Sequence, residues 1–153
     1  MDGYTVYPFP FGQLLVKYQD GAVTRLTRTE EPVREEGRTA LTDLVFQQIS
    51  EYLEGRRRTF DFPYVLKGTP FQQRVWQALC TIPYGETRTY GEIAAAAGSP
   101  KAFRAVGMAN HQNPIFIAVP CHRVIGAGGK LVGYGGGLDM KEALLQMERR
   151  ALE

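Results

Sequence analysis

A thiol, an imidazole and a guanidinium stand side by side at Cys121-His122-Arg123, preceded by Pro120 and the apolar run Ile115-Phe116-Ile117-Ala118-Val119. The thiolate is the nucleophile in cysteine chemistry, and nearby positive charge lowers the thiol pKa from its reference of about 8.5. The apolar run predicts a buried strand. Pro120 biases Val119 toward extended geometry, so the cysteine should leave that strand at a fixed angle. Adjacent side chains on an extended backbone point in opposite directions, so His122 is expected to act on Cys121 through a water. An inert buried cysteine is the alternative, since burial is common for this residue type.

Several elements must position these residues. Thr69-Pro70 supplies a cap and a first-turn proline for a helix through Phe71, Val75 and Leu79, ended by Ile82-Pro83-Tyr84-Gly85. Cys80 falls beside Leu79 and reads as a core residue. Thr89 and Glu92 form a capping box for a helix from Tyr90 to Ala97 that stops at Gly98. Ser99-Pro100 then caps and starts another, through Arg104 to about Asn110. Two short helices joined by a glycine turn are a helix-turn-helix signature. The second is rich in small residues, Ala102, Ala105, Gly107 and Ala109, which permit close backbone approach to another surface. Arg104 is the long polar side chain in its middle; a salt bridge or a phosphate contact is its plain alternative role.

After Cys121 come Val124-Ile125, a glycine loop at 126–129, and Gly133-Tyr134-Gly135-Gly136-Gly137. Such loops can wrap closely around a ligand. Neither has the spacing of a Walker A or dinucleotide fingerprint. Asp139 and Glu142 are expected to cap a final helix whose Met140, Ala143, Leu144 and Met147 face the core.

The first third reads as a small sheet plus a helix. Residues 14–18 and 22–26 are β-rich and flank the hairpin signal Gln19-Asp20-Gly21, with Thr5-Val6-Tyr7 as a third strand. Leu41, Leu44, Val45, Gln48, Ile49, Tyr52 and Leu53 follow helical spacing, closed by Gly55. The stretch from Asp61 to Gly68 reads as a linker, giving expected domains at 1–65 and 66–153.

The 153 residues are 44% hydrophobic and 22% charged, an ordinary globular balance. No apolar run approaches the roughly 18 residues of a membrane span, and Met1-Asp2-Gly3-Tyr4 opens no secretory signal. Two cysteines make no disulfide framework, so a reducing compartment, the cytoplasm, is expected. The net charge of +2 is uneven: residues 1–65 carry eight basic and ten acidic side chains, residues 66–153 ten and six. Ile93 to Leu138 contains Lys101, Arg104, Arg123 and Lys130 and no carboxylate side chain, as a polyanion-facing surface requires.

Taken in order, Thr69-Pro70-Phe71-Gln72, Ile82-Pro83-Tyr84-Gly85, Tyr90-Gly91-Glu92-Ile93-Ala94, Arg104-Ala105-Val106-Gly107, Asn113-Pro114, Pro120-Cys121-His122-Arg123 and Tyr134 with its glycines resemble the O6-alkylguanine-DNA alkyltransferases. The likeness is dense from Thr69 to Glu148; nearer the amino terminus only the strand and helix pattern matches. It implies an α+β fold. A three-stranded antiparallel sheet with one helix, ribonuclease H-like, would precede a mostly helical, winged helix-turn-helix-like domain. It further implies a single-turnover methyltransferase that moves an alkyl group from guanine O6, or thymine O4, to Cys121, the damaged base having been flipped out of the duplex.

The resemblance also assigns roles. Cys121 would attack the alkyl carbon, His122 would deprotonate it through a water, and Glu148 would orient the imidazole. Tyr90 would protonate or hydrogen-bond the departing guanine, and Asn113 would brace the turn around the site. Arg104 would fill the gap left by the flipped nucleotide, with Tyr90, Gln72, Ser99, Ala102, Ala105, Gly107 and Arg123 also on the DNA side. Tyr134, Gly135 and Val124 would line the base pocket. The implied partner is double-stranded DNA carrying alkylated guanine, met in the minor groove by a monomer, with no membrane, no cofactor and no metal. Zinc-bearing relatives hold it with amino-terminal cysteines and histidines that this chain lacks. Phe103 and Met108 are bulkier than is usual on the recognition helix. A non-catalytic relative would lack the cysteine, a plain regulator would not need Cys121-His122, and a thiol hydrolase would not need the acid-free helix.

Overall fold

Alternating apolar and polar residues near the amino terminus build three antiparallel strands, β1 (Asp2–Phe9), β2 (Gly12–Gln19) and β3 (Ala22–Thr29), in the order β1-β2-β3. The structure, a computed structural model, describes residues 2–131, 134 and 136–153. The register sets Thr5 opposite Val16 and Val16 opposite Leu26. Asp20 and Gly21 link β2 to β3 with φ of 51° and 80°, the paired left-handed conformation that suits a two-residue hairpin. Leu14, Val16 and Tyr18 of β2 are buried, as period-two alternation requires.

Helix α1 (Ala40–Leu53) belongs to the same unit and opens with a reciprocal cap: Thr42 N–H donates to Thr39 Oγ1 at 3.1 Å, and Thr39 N–H to Thr42 Oγ1 at 2.9 Å. Its buried face is Thr42, Val45, Gln48, Ile49 and Tyr52, while Leu44 is exposed. Val45, Gln48, Ile49 and Tyr52 are on the face expected, with Gln48 hydrogen-bonded to Asp61; Thr42, which serves the cap, is buried beside them and Leu44 is not. Contacts divide the chain into Met1–Lys67 and Gly68–Glu153.

In the second unit, α2 (Pro70–Leu79), α3 (Tyr90–Ala96) and α4 (Phe103–His111) pack on one another. Capping boxes at Thr69/Gln72 and Thr89/Glu92 begin α2 and α3; each such cap contributes about 1 kcal/mol. Trp76 is buried on α2 and its indole N–H donates to the Ala109 carbonyl at 2.8 Å, tying α2 to α4. β4 (Arg88–Thr89) and β5 (Val124–Ile125) pair in parallel, and α5 (Leu138–Ala151) closes the unit. The α+β architecture, sheet first and helix-turn-helix second, is the one the sequence predicts.

Three local expectations change. α4 begins at Phe103 with Ala102 as an uncapped N-cap, so Ser99-Pro100 belongs to the turn before it. α5 begins after Gly137, whose φ of 98° does the turning as a glycine N-cap, and Asp139 adds negative charge to the first turn. Cys80 ends α2 as its C-cap and is exposed rather than in the core, at the turn where the chain leaves the helix.

Candidate active site and DNA-facing helix

The apolar run before Cys121 forms a buried tight loop rather than a strand. Ala118 N–H donates to the Phe116 carbonyl at 2.8 Å and Val119 N–H to Ile115 at 3.1 Å, with Ile117 at φ 70°. A β-branched residue in the left-handed region costs on the order of 1–3 kcal/mol and persists only when its surroundings over-determine it. Here Ile115, Ile117 and Val119 are all buried, and Asn113 clamps both ends of the loop. Its Nδ2 donates to the Val119 carbonyl at 2.7 Å and its Oδ1 accepts from Ile115 N–H at 3.0 Å. Cys121–Arg123 then forms a single 3₁₀ turn after Pro120.

Behind that turn lies Glu148 of α5, itself fully buried. Its Oε2 accepts from His122 Nε2 at 2.7 Å and from Arg123 Nη2 at 3.0 Å. Its Oε1 accepts from Arg123 Nε at 2.9 Å and from Gly85 N–H at 2.9 Å. Gly85 has φ 81°, and a Cβ there would stand 2.2 Å from Leu152 Cδ1, so only glycine brings this N–H to the carboxylate. Arg123 also donates from Nη1 to the Ile82 carbonyl at 2.8 Å. Arg123 is therefore a buried partner of Glu148, not a DNA-side residue as expected; the carboxylate has drawn the guanidinium inside. Burial holds the His122 pKa below its ordinary value, outweighing the upward pull of Glu148. A neutral imidazole that donates from Nε2 has its basic lone pair on Nδ1.

The Cys121 thiol does not have the lowered pKa that neighbouring positive charge suggests. Burial pushes it up to about 11, against the opposing effects of an Asn113 hydrogen bond, the Lys141 charge and the backbone N–H groups of Cys121 and His122. Lys141 is also buried, and its pKa falls to about 8, with Cys121 pulling the other way. The sequence reading missed Lys141. The signal was its place on α5: Lys141, Leu144, Leu145 and Glu148 follow i, i+3, i+4, i+7 spacing, so both charges lie on the apolar stripe.

Tyr90 opens α3, half-buried, its pKa raised first by burial and then by the nearby Cys121 charge. It lies against α4, where a Cβ on Gly107 would be 4.0 Å from Tyr90 Cε1. Arg104, Ala105, Phe103 and Met108 are exposed on α4, with Ala102 and Ser99 half-buried beside them. Ser99, Pro100, Lys101 and Ala102 line a shallow open concavity at the turn. Gln72 is committed to structure, accepting from Thr69 N–H at 2.9 Å and donating to Gln112 at 2.8 Å. Val124 is buried, with its main chain paired to Arg88. Tyr134 is buried, and Gly135 lies outside the described residues. Among the described residues, no cluster of three or more His, Cys, Asp or Glu could hold a metal, and no helix is long and apolar enough to cross a membrane.

Residues 3–66 match the 6-O-methylguanine DNA methyltransferase, ribonuclease-like domain, and residues 70–150 match the 6-O-methylguanine DNA methyltransferase, DNA binding domain. The chain is 50% identical over 153 residues to the methylated-DNA–protein-cysteine methyltransferase of Mycolicibacterium paratuberculosis, covering 96% of this chain and 92% of that protein. It is 46% identical over 159 residues to the constitutive methylated-DNA–protein-cysteine methyltransferase of Bacillus subtilis, covering 97% and 96%. Among solved structures it is similar to Mycobacterium tuberculosis OGT in complex with DNA, with a TM-score of 0.88 and 48% identity over 97% of this chain and 93% of that one.

Proposed function

The chain belongs to the 6-O-methylguanine DNA methyltransferase family, and from that premise we propose that it repairs duplex DNA by moving one alkyl group from guanine O6, or thymine O4, to Cys121. The observation that carries this reading is a buried His122–Glu148 pair at 2.7 Å directly after the buried Cys121 in the chain, in the same unit as an exposed, arginine-bearing helix. Sγ attacks the alkyl carbon, the carbon–O6 bond breaks, and the electron pair passes to the guanine. A thiol with a pKa of about 11 is only about one part in ten thousand thiolate at pH 7. Its proton must therefore be taken as substrate binds, and His122 Nδ1 is the base for it, through a water. Glu148 holds the tautomer that makes Nδ1 basic. Lys141 lowers the cost of the thiolate, and Tyr90, kept protonated by burial, meets the charge that develops on the base.

The product is a thioether, which has no good leaving group, and Cys80, the other cysteine, lies exposed at the end of α2. One protein then repairs one lesion, without a cofactor. A base inside a duplex is out of reach of Sγ, so it must be extruded at a cost of a few kcal/mol, least for a damaged pair. Arg104, with Ser99, Ala102, Ala105 and Gly107, forms the surface that enters the minor groove, and Arg104 takes the place of the extruded nucleotide. Tyr134 borders the base. The protein works as a monomer, and its need for a free thiol suits the reducing cytoplasm.

Intact-mass measurement after incubation with DNA containing O6-methylguanine tests this. The protein should gain the mass of one methyl group and no more, on Cys121, and Cys121→Ser should gain none while still binding duplex. Methylation of the serine variant at near the unsubstituted rate, or turnover beyond one lesion per molecule, would refute it.

A further inference from the structure

Met108 is the most exposed large apolar side chain among the described residues, at 59%, and nothing above gives it a part. It lies on α4 four residues after Arg104, so the two are neighbours on one helical face, with His111 a turn further on. Arg104 and His111 are exposed as well, whereas Val106, Ala109 and Asn110 on the opposite side are buried. Phe103 is also exposed but sits at the edge of this face, about 100° round from Arg104. Its ring is seated on α3, where a Cβ on Gly91 would be 3.2 Å from Phe103 Cε1. Arg104 has no hydrogen bond or ion pair among the described residues, and the stretch from Ile93 to Leu138 has no carboxylate side chain. The occupant this face suits is therefore a polyanion with uncharged groups between its charges. The minor groove of a duplex is one, with phosphates along both rims and sugar and base edges between them.

We propose that Met108 is a specificity-determining residue: it rests on the floor of the minor groove beside Arg104 and makes repair depend on whether the base pair there carries the amino group of guanine. The minor groove distinguishes pairs poorly. A·T and T·A show acceptors only, and G·C adds one donor, the guanine N2 amino group. That group projects from the groove floor, where the side chain has to rest. A thioether sulfur is only a weak acceptor and the remainder of Met108 is apolar, so a covered amino group loses its water and gains no partner. An orphaned N–H is the costlier omission, since an acceptor with two lone pairs tolerates partial satisfaction better. With Arg104 in the gap left by the extruded nucleotide, Met108 stands about 6 Å further along the helix axis, or about two base steps. The dependence therefore falls on one side of the lesion.

The inference rests on the alkyl-transfer reading, and its test separates the two. Second-order rates of methyl transfer are measured with the full chain, at fixed salt, on duplexes containing O6-methylguanine. The pairs next to the lesion, at successive steps on each side in turn, are either G·C or hypoxanthine·C, which lacks only the amino group. On one side the unsubstituted protein should repair the hypoxanthine duplex about fivefold faster, the lower end of what an unpaired buried donor costs. The lower end applies because an unbranched methionine can swing partly aside. The two duplexes also differ in pairing strength, so each protein is read by the ratio of its two rates. Met108→Ala should bring that ratio down to the one seen on the other side. Met108→Gln, of similar length but with an amide oxygen that accepts from the amino group, should lower it as far or invert it; thermal unfolding confirms that both variants are folded. Equal ratios on the two sides, a ratio unchanged in Met108→Ala, or undiminished discrimination by Met108→Gln would each overturn the inference and leave the exposed methionine to a second copy or another protein. Failure of the unsubstituted protein to take a methyl group from any of these duplexes would overturn the alkyl-transfer reading itself.

Discussion

Replacing Glu148 by Gln changes one atom and should cost both stability and chemistry, for separable reasons. Among the described residues, four groups donate to this carboxylate: His122 Nε2, Arg123 Nε and Nη2, and Gly85 N–H. A glutamine must place its NH₂ against two of them in either rotamer. At the Oε1 position it meets Arg123 Nε and Gly85 N–H, neither of which can become an acceptor. At the Oε2 position it meets Arg123 Nη2 and His122, and the imidazole alone can adapt, by moving its proton to Nδ1. The amide should settle there. Arg123, buried and permanently charged, then loses its counter-ion. Breaking a buried pair in this way costs about 3–5 kcal/mol, out of a total of about 5–15 kcal/mol for a domain. At about 4–8 °C per kcal/mol for a unit of this size, the midpoint should fall by at least about 12 °C. Below the transition the variant should still be folded, yet its thiol should be slow, because a protonated Nδ1 cannot serve as base. Scanning calorimetry reads the first effect, and ¹⁵N imidazole spectra with iodoacetamide kinetics read the second. A midpoint shift under about 4 °C would refute the account of Glu148 as counter-ion, and an unchanged tautomer with unchanged kinetics would refute it as orienter.

Three further outcomes follow from the same geometry. His122→Ala and Glu148→Gln should each slow the Cys121 thiol, with little further loss in the double variant; fully additive losses would separate the two residues. Arg104→Ala should reduce repair of duplex DNA, at saturating DNA and fixed salt, far more than reaction with free O6-benzylguanine; an equal factor in both assays would place Arg104 in the pocket instead. The folded chain releases the Lys141 proton near pH 8 while an unfolded one holds it to about 10.5, so protonation penalises the fold in full below pH 8 and the penalty lifts as pH rises above it. Cys121, raised from 9.0 to about 11, acts in the opposite sense from pH 9 upward; stability measured by denaturant should therefore rise from pH 8 to 9 by up to about 1.4 kcal/mol, and Lys141→Met should abolish that rise.

What the sequence made legible is what depends on neighbours along the chain. The Asp20-Gly21 hairpin and the caps at Thr69 and Thr89 are decided within four residues, and each is found where its residue types put it. The loop before Cys121 was misread for the same reason. Ile115-Phe116-Ile117-Ala118-Val119 has the composition of a strand, but Asn113 and Pro120 lie outside any strand window, and the left-handed Ile117 is affordable only because the core closes over it. Arg123 shows the converse error. A cation in a carboxylate-free stretch looks exposed until a glutamate 25 residues later turns it inward.

The electrostatics of the thiol were the least legible feature, because charge and burial act in opposite directions and sequence shows only charge. Cys121 has His122, Arg123 and Lys141 around it, yet Arg123 is neutralised by Glu148, His122 is kept neutral by burial, and Lys141 is itself pushed toward neutrality. Desolvation is then the largest influence on the thiol, and it remains protonated at rest. That state fits a nucleophile usable once. Thiolate fraction governs attack by any passing electrophile, and a thiol irreversibly consumed by one such encounter removes the whole protein from service. Burial suppresses that loss, and in the proposed reaction the Nδ1 base, held in its tautomer by Glu148, would provide ionisation where a substrate has entered. The cations that make Cys121 look activated in sequence are thus outweighed, once folded, by the desolvation that keeps the thiol in reserve.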